Sequence, residues 1–331
     1  MLAPKTKPNA NKPSPEKQSP FAGDLLPHDL VWTPEIEQLV LKVAMWIRLE
    51  GPGGTAYGPQ RNGKTSACEY LGTVLPDVLA LAIITIRWTM PDPPAQTDRE
   101  WIQQRLAQSG CEAVIHRDKG VLQGRLIEHL IELASAAGTR HILIVIDEAQ
   151  NMTAADFGRL IYLHNLLIRE RIRPFALLVG QPELRQIASS WTESGAHQVV
   201  GRFFACQHGY RGIRADDFEQ VLEQFDTAPE DPAKQSIGSR FQTTYDTGWR
   251  LPNLGAALRD AITTLQTRHN FGEPILLPMQ YFRSTLIAIL YRCLATGLSP
   301  QMVDSKIALQ CLGEAGFTAV LGQYVKKKEK Q

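Results

Sequence analysis

The octapeptide "GPQRNGKT", residues 58–65, decides how the rest of the chain is interpreted. Gly58 and Gly63 let the backbone curl so that successive N–H groups point inward, toward phosphate oxygens. The helix expected after the loop adds the positive end of its dipole. Lys64 can then reach the β- and γ-phosphates of a nucleotide, and Thr65 can offer its hydroxyl to Mg²⁺. The spacing therefore predicts a phosphate-binding loop.

A second site is predicted where the strand in "HILIVIDEAQ" (141–150) runs into two carboxylates. A hydrophobic strand that ends in Asp147 can deliver a carboxylate to the magnesium shell. Glu148, next to it, is placed to polarise an attacking water. A nucleotide kinase transfers the phosphoryl group to a substrate and needs no such base. The adjacent pair therefore favours hydrolysis by water.

Two further polar residues follow along the chain. The strand in "FALLVG" (175–180) ends at Gln181, which could orient the water near the γ-phosphate or could simply begin the next helix. Arg202 precedes the last predicted strand, where an arginine can cross a subunit boundary and contact a neighbour's γ-phosphate. Arg171, Arg173 and Arg185 compete with Arg202 for that role.

The order of elements predicts an α/β fold with a parallel sheet between helices, followed by a smaller all-α region. We expect strands at 53–57, 77–88, 141–150 and 202–210, a strand that turns into a helix at 174–184, and helices at 33–50, 64–71, 99–110, 123–138 and 154–170. This predicts three parts: a disordered tail at 1–20, a nucleotide-binding domain at 21–212 and a helical lid and C-terminal region at 213–331. The proline- and lysine-rich tail could instead be a docking strip for a partner or for DNA phosphates.

Composition excludes some classes of protein. The net charge of +1 gives no overall sign of nucleic-acid binding, although a basic patch could still be local. The longest apolar run, "VLALAIITI" (78–86), is about half of a membrane span, and the N-terminus has no secretory signal. The five cysteines and eight histidines show no spacing typical of a zinc site. We therefore expect a cytoplasmic protein with no membrane partner.

Four segments together resemble a known family: "GPQRNGKT", "ILIVIDEAQNM", "LLVGQPEL" and the arginine of "GRFF". Their order and spacing look like an AAA+ ATPase, and more narrowly like the TnsC/TniB/MuB group of transposition regulators, close to the ExeA-type ATPases. The resemblance spans roughly residues 30–260. It implies assembly with ATP into a homo-oligomeric ring or filament on double-stranded DNA. It also implies a bridge between transposase subunits and a target-selection protein or RNA-guided complex, with disassembly on hydrolysis.

The resemblance also implies roles for individual residues. Asp147 and Thr65 would hold Mg²⁺, Glu148 would activate water, Gln181 would be the first sensor and Arg202 the arginine finger. Arg250, in "TGWRLPNLGAALRDAI" (247–262), is a candidate for the second sensor on a loosely matching lid helix. The expected ATP contacts are Gly58, Pro59, Gln60, Arg61, Asn62, Gly63, Lys64, Thr65, Ser66 and Arg250.

DNA contact requires basic side chains, because phosphates carry the charge and no sequence preference. The segment "IHRDKGVLQGR" (115–125) places Arg117, Lys119 and Arg125 on a loop and the start of a helix, similar to the DNA-facing loop of the family. They could also be solvated loop charges. The segments "IRERIRPF" (168–175) and "VKKKEKQ" (325–331) are further basic candidates, the latter also as a solvated terminus or a handle for a transposase subunit.

Three other interpretations remain. A P-loop nucleotide kinase would need a substrate pocket and an inserted arginine-bearing lid, and neither is recognisable in the sequence. An ExeA-like ATPase of a secretion or other assembly would usually carry a membrane span. A scaffold with an inactive site is disfavoured by the presence of Lys64, Thr65, Asp147 and Glu148 together.

Overall fold

A computed structural model describes residue 26 and residues 31–112, 114–193, 195–226 and 237–325. The predicted tail at 1–20 and the basic residues 326–331 lie outside this part of the chain. The described residues form five strands, fourteen α-helices and several short 3₁₀ or π turns.

A five-stranded parallel sheet forms the centre of the first two hundred residues, in the order β2-β3-β4-β1-β5. The pairing of β1 with β4 places Ala56 opposite Val179, and β3 with β4 places Val145 opposite Leu177. All strands therefore end at one edge, here called the carboxyl edge, and begin at the opposite, amino edge. The strands are β1 Gly53–Tyr57, β2 Ile84–Thr89, β3 His141–Asp147, β4 Arg173–Gly180 and β5 Gln207–Gly209.

Helices connect these strands and then continue alone to the end of the described chain. Those of the sheet region are α1 Pro34–Arg48, α2 Lys64–Leu79, α3 Asp98–Gln108, α4 Lys119–Ala136, α5 Ala154–Arg169, α6 Glu183–Glu193 and α7 His197–Val199. The later helices are α8 Phe218–Asp226, α9 Ile237–Arg240, α10 Gln242–Asp246, α11 Gly255–His269, α12 Met279–Thr296, α13 Ser305–Glu314 and α14 Phe317–Val320.

Helix α1 shows how local signals set an element. The Thr33 hydroxyl accepts a hydrogen bond from the Ile36 N–H, and Pro34 occupies the first helical position. The buried face includes Leu39, Val43 and Trp46. The prediction of a helix over 33–50 is confirmed within two residues at each end.

The predicted strand at 77–88 is wrong over its first half. Helix α2 continues to Leu79 because Leu71, Leu75 and Leu79 recur every four residues and form one buried stripe. Ala80 then ends the helix in a left-handed conformation, and the strand begins only at Ile84. A continuous apolar run does not separate a buried helix end from a buried strand.

Two other boundaries also differ from the prediction. Helix α4 begins at Lys119, not at residue 123, because the Asp118 carboxylate accepts from the Val121 N–H and caps it. The strand predicted over 202–210 is limited to β5, and residues Val200–Phe204 form a π-helical turn. Arg202 therefore lies on that turn.

The buried apolar residues fall into three clusters. One cluster lies on each face of the sheet, and the third joins the helices from Ile213 to Val325. Leu26 packs into this third cluster although it precedes the sheet. The C-terminal helices thus have an apolar core of their own.

Within the part of the chain that the structure describes, no helix combines the length and the apolar character needed to cross a bilayer.

Candidate functional site

The phosphate loop connects the end of β1 to the start of α2 at the carboxyl edge of the sheet. Gly63 occupies the N-cap of α2 with φ +91°, a conformation that disfavours residues with a side chain. Because glycine has no side chain, the N-terminus of α2 has no side-chain cap, and no acidic residue lies in the first turn of α2. The first N–H groups of α2 are therefore available to an anion.

Lys64 lies folded over this loop. Its ammonium donates to the carbonyls of Gly58 and Pro59, each at 2.7 Å. Burial lowers the pKa of Lys64, while the negative charges of Glu148 and then Asp147 oppose that change. The Lys64 ammonium therefore lies near two carboxylates, as expected for a group that binds phosphate.

Thr65 and Asp147 meet across the loop, as the sequence predicts for a magnesium pair. The Thr65 hydroxyl donates to Asp147 Oδ2 at 3.0 Å, and Asp147 Oδ1 accepts from the Glu148 N–H at 2.9 Å. Among the described residues, no group of three or more His, Cys, Asp or Glu side chains is arranged for a metal. A metal here would therefore depend on phosphate oxygens in addition to Thr65 and Asp147.

Glu148 is held by a residue that the sequence analysis did not single out, Gln150. The Gln150 amide donates to Glu148 Oε2 and accepts from the Gln181 N–H at 3.0 Å. The Gln181 side chain in turn accepts from Gln60 Nε2 at 2.9 Å. The structure therefore brings Gln181 to the loop and adds Gln150, whose role depends on a contact 31 residues away along the chain.

The start of α12 covers the loop from the other side. The Gln280 N–H donates to the Arg61 carbonyl at 3.1 Å, and the Arg61 guanidinium donates to the Tyr281 hydroxyl. Met279, Gln280 and Arg283 line the same cavity as Lys64, Asp147 and Glu148. No local sequence signal indicates these contacts, because they depend on how the helical region folds back.

Arg250 is placed differently from its predicted role. Its guanidinium donates to the carbonyls of Tyr245 at 2.9 Å and Trp249 at 2.7 Å, and it lies over the Tyr245 ring. It is not among the residues that line the cavity beside the loop, whereas Arg283 is. The structure therefore does not bring Arg250 to the loop.

A second cavity adjoins the loop and shares Gly63, Ser66, Met279 and Arg283 with the first. Its apolar walls include Val31, Ile36 and Ile213. The buried Asn62 also lines it, and its Oδ1 has no hydrogen-bond partner. An apolar slot with an unsatisfied amide oxygen suits a flat base with an exocyclic amine.

A nucleotide with its metal needs sites for the phosphates, for Mg²⁺ and for the base. The uncapped α2 terminus and Lys64 suit phosphates, the pair of Thr65 and Asp147 suits Mg²⁺, and the slot beside Asn62 suits a base. All three lie in connected cavities. The residues present therefore fit a nucleotide with its metal.

Residues 50–188 match a family described as the AAA domain. Over this segment the chain is similar to AAA domains. The five-stranded parallel sheet among helices and the helical C-terminal region together have the P-loop AAA+ fold, which confirms the predicted fold class. A search of curated protein sequences gave no significant match.

Solved structures share the fold at low sequence identity. The Aeropyrum pernix ORC2 protein in its ADPNP–ADP complexes has a TM-score of 0.56 and 15% identity, over 88% of this chain and 71% of that one. Its ADP form has a TM-score of 0.56 and 16% identity, over 87% and 70%. The AAA+ fold thus accounts for most of the chain, and not for residues 50–188 alone.

Arg202 lies far from the chain's own phosphate loop, at the amino edge of the sheet. It lines a groove, here called the arginine groove, with Arg140, His141, His164, Arg171 and Arg173. Its guanidinium lies 3.4 Å from His164 Nδ1. Burial, and then the charge of Arg202, lowers the pKa of His164. Arg171 and Arg173 share this groove, whereas Arg185 lies exposed on α6.

The three residues predicted to contact DNA lie around the start of α4. Arg117 is exposed ahead of the helix, and Ile115 nearby is 86% exposed. Lys119 is the first helical residue and donates to Asp98 at 2.9 Å, and Arg159 also donates to Asp98. These two bonds lower the pKa of Asp98. Arg125 is half-buried one and a half turns further on.

Proposed function

We propose that this AAA domain hydrolyses ATP as an assembly switch, and that the protein forms ATP-dependent oligomers on duplex DNA in DNA transposition. One observation carries the ATPase part: Lys64, Thr65, Asp147, Glu148 and Gln181 line one cavity at the carboxyl edge. The groups that bind the phosphates and activate water are therefore in one place, and the proposed arginine finger, Arg202, is not among them. We expect the protein to act in the cytoplasm.

Each group has a distinct task in this proposal. Lys64 and the N-terminus of α2 bind phosphate, and Thr65 and Asp147 hold Mg²⁺, which neutralises charge on the phosphates. Glu148 accepts a proton from the attacking water, and Gln181 orients that water. Arg283, which enters the cavity from α12, is a better second sensor than Arg250 because it lines the same cavity as the loop.

The switch depends on a neighbouring subunit. Arg202 lies at the amino edge, separated from its own loop by the length of the strands, which is roughly 15–20 Å. It can therefore reach a γ-phosphate only in a second copy. ATP would then favour assembly because it is bound between two copies, and hydrolysis would weaken that contact.

The DNA and transposition parts rest on the resemblance of the motifs to transposition regulators. The exposed Arg117 and the neighbouring Lys119 and Arg125 supply positive charge at one end of α4. We propose that this end contacts DNA phosphates without sequence preference. The proposed partners are transposase subunits and a target-selection protein or RNA-guided complex.

The first experiment is negative-stain imaging of the purified protein with duplex DNA, with ATP and without nucleotide. We expect rings or filaments on DNA with ATP only. Lys64→Ala should abolish them because the phosphates lose their cation. Glu148→Gln should preserve them, because binding is intact while hydrolysis is blocked. A wild type that stays monomeric and ignores DNA in every condition overturns the assembly proposal.

A binding titration at several salt concentrations tests the DNA surface. Arg117→Ala should weaken binding to all sequences alike and reduce the slope of log affinity against log salt by about one. Arg268→Ala, which removes an exposed arginine from α11, is the matched control and should change neither. An unchanged salt slope in Arg117→Ala would place the DNA contact elsewhere.

Transposition itself is tested by adding the transposase of the same element to the assembled protein. Co-purification that requires ATP and survives in Glu148→Gln supports the regulator role. Hydrolysis without DNA or transposase binding would favour another ATPase role, such as an ExeA-like assembly. Transfer of phosphate to a small acceptor, with little release of free phosphate, would favour the kinase interpretation.

A further inference from the structure

Three glutamines form a hydrogen-bonded chain beside the catalytic carboxylate. Gln60 donates to Gln181, the Gln181 N–H donates to Gln150, and Gln150 donates to Glu148. The chain thus runs from the phosphate loop, across the end of β4, to the residue that follows β3. Gln150 is the member that touches the carboxylate, yet none of the sequence motifs assigns it a role.

The hydrogen bonds fix which way the Gln150 amide faces. A backbone N–H can only donate, so the atom that meets Gln181 must be the amide oxygen. The amide nitrogen therefore faces Glu148, where it makes a charge-assisted bond to the carboxylate. The glutamine is clamped at both ends, and a carboxylate bound to it loses rotational freedom.

A competing position for Glu148 explains why such a clamp matters. Among the charges acting on Lys64, Glu148 is the strongest. A glutamate free to rotate would be drawn toward that ammonium, where it would be a poor acceptor for a water proton. The bond from Gln150 holds the carboxylate against this attraction.

The end of β4 leaves room for this amide. A β-carbon added at Gly180 would lie 2.5 Å from Gln150 Oε1 and 3.3 Å from its backbone nitrogen. Any larger residue at 180 would push the amide out of its place. The position of the Gln150 amide therefore depends on a glycine at 180, so substitution of Gly180 can test the contact.

We infer that Gln150 is a positioning residue for ATP hydrolysis: it fixes the orientation of the Glu148 carboxylate in the cavity and links that orientation to β4 and the loop. This inference rests on the proposed ATPase function and extends it. Gln150 acts through Glu148 and does not itself contact the reacting atoms.

The test is steady-state ATP hydrolysis with duplex DNA present. Gln150→Ala should lower kcat about tenfold or more, because a displaced base loses its geometry, while KM for ATP stays within about twofold. Gln242→Ala, an exposed glutamine on α10, is the control and should match the wild type. Thermal unfolding of each variant shows whether a loss of rate is a loss of folded protein.

Gly180→Ala supplies a second readout that a general loss of structure would not give. Alone, it should lower kcat, because the added methyl displaces the amide. In the Gln150→Ala background the same change should cost clearly less, because the amide oxygen is gone and only the Leu184 side chain at 3.2 Å and the backbone nitrogen of residue 150 at 3.3 Å remain close. Equal losses in both backgrounds would contradict the inference.

Gln150→Glu tests the donor alone. The new carboxylate can still accept from the Gln181 N–H but has no donor for Glu148, so kcat should fall at least as far as in Gln150→Ala. A Gln150→Glu variant as active as wild type overturns the inference even if Gln150→Ala fails to fold.

The outcomes separate this inference from the proposed function. A wild type that neither binds nor hydrolyses ATP overturns both. An active wild type with a kcat for Gln150→Ala within twofold of it, or with a change in KM alone, overturns only the role of Gln150.

Discussion

The carboxyl and amino edges of the sheet carry opposite chemistry. The carboxyl edge holds the phosphate loop with Asp147 and Glu148, and the helix α12 covers it. The amino edge holds the arginine groove, in which Glu50 is a carboxylate facing the arginines. The chain's own α12 lines the cavity at the first edge, whereas the groove at the second edge is lined by residues of the sheet region alone. On the proposed mechanism, the ATPase site is completed when the amino edge of one copy meets the carboxyl edge of another.

Loss of Arg202 should have the largest effect on the rate of ATP hydrolysis. Arg202→Ala should lower kcat by about 10³-fold, because a trans arginine stabilises charge in the transition state. ATP binding to the isolated subunit should not change. Hydrolysis assays at saturating ATP, with Arg185→Ala as the control, measure both points.

Mixing of two inactive variants then tests whether the site is shared. In a mixture of Arg202→Ala and Glu148→Gln, some interfaces combine an intact loop with an intact arginine, so part of the rate should return. A mixture as inactive as its components would place both groups in one subunit and break the comparison.

Loss of the Thr65 hydroxyl should have the next largest effect, confined to the carboxyl edge. Thr65→Val keeps the shape of the side chain but removes its contact with Asp147 and the metal. The Mg²⁺ concentration for half-maximal hydrolysis should rise on the order of tenfold. Thr73→Val, an exposed threonine on the same helix, should leave it unchanged.

His164 gives the amino edge a pH dependence. Because its pKa is lowered, folded His164 stays neutral where the unfolded chain takes up a proton, near its ordinary value of about 6.5. Its contribution to stability is therefore full above that pH and is lost as the pH falls. The Tm difference between wild type and His164→Gln should shrink from pH 7.5 to pH 5. His141, whose pKa is also lowered, is present in both proteins and cancels. A Tm difference that stays constant would show that His164 does not titrate this way.

Arg173 should have the smallest effect. It pairs with Glu50 at 3.0 Å, and both side chains are largely exposed, so the pair contributes less than about 1 kcal/mol to folding. Arg173→Ala should shift Tm little and keep hydrolysis within about twofold of wild type. If hydrolysis instead fell as far as in Arg202→Ala, the groove would act through several arginines and not through one.

The carboxyl edge could be predicted from sequence in large part, because its groups lie in short continuous motifs. The loop at 58–65 and the Asp147–Glu148 pair each follow a strand, and a parallel sheet brings strand ends together. Asp147 meets Thr65 as expected. Local spacing therefore carried most of the information about this edge.

Other parts could not be predicted, because they depend on contacts between distant segments. Gln150 has a role only because β4 ends beside it, and Arg283 because α12 folds back over the loop. Arg250 was chosen from a loose motif, but its guanidinium bonds to the backbone of its own segment. The strand predicted over the apolar run at 78–86 was wrong for a local reason. Continuous apolar residues fit the buried end of a helix as well as a buried strand.

The tie between the loop and α12 has a consequence for turnover. Arg61 is joined to the first turn of that helix through its carbonyl and its guanidinium, and Tyr324 donates to the Gln60 carbonyl at 3.3 Å. These hydrogen bonds fix the helical region to the tip of the phosphate loop. Because the loop tip and the start of α12 both line the nucleotide cavity, we expect the rate of product release to depend on how often Arg61 separates from Tyr281.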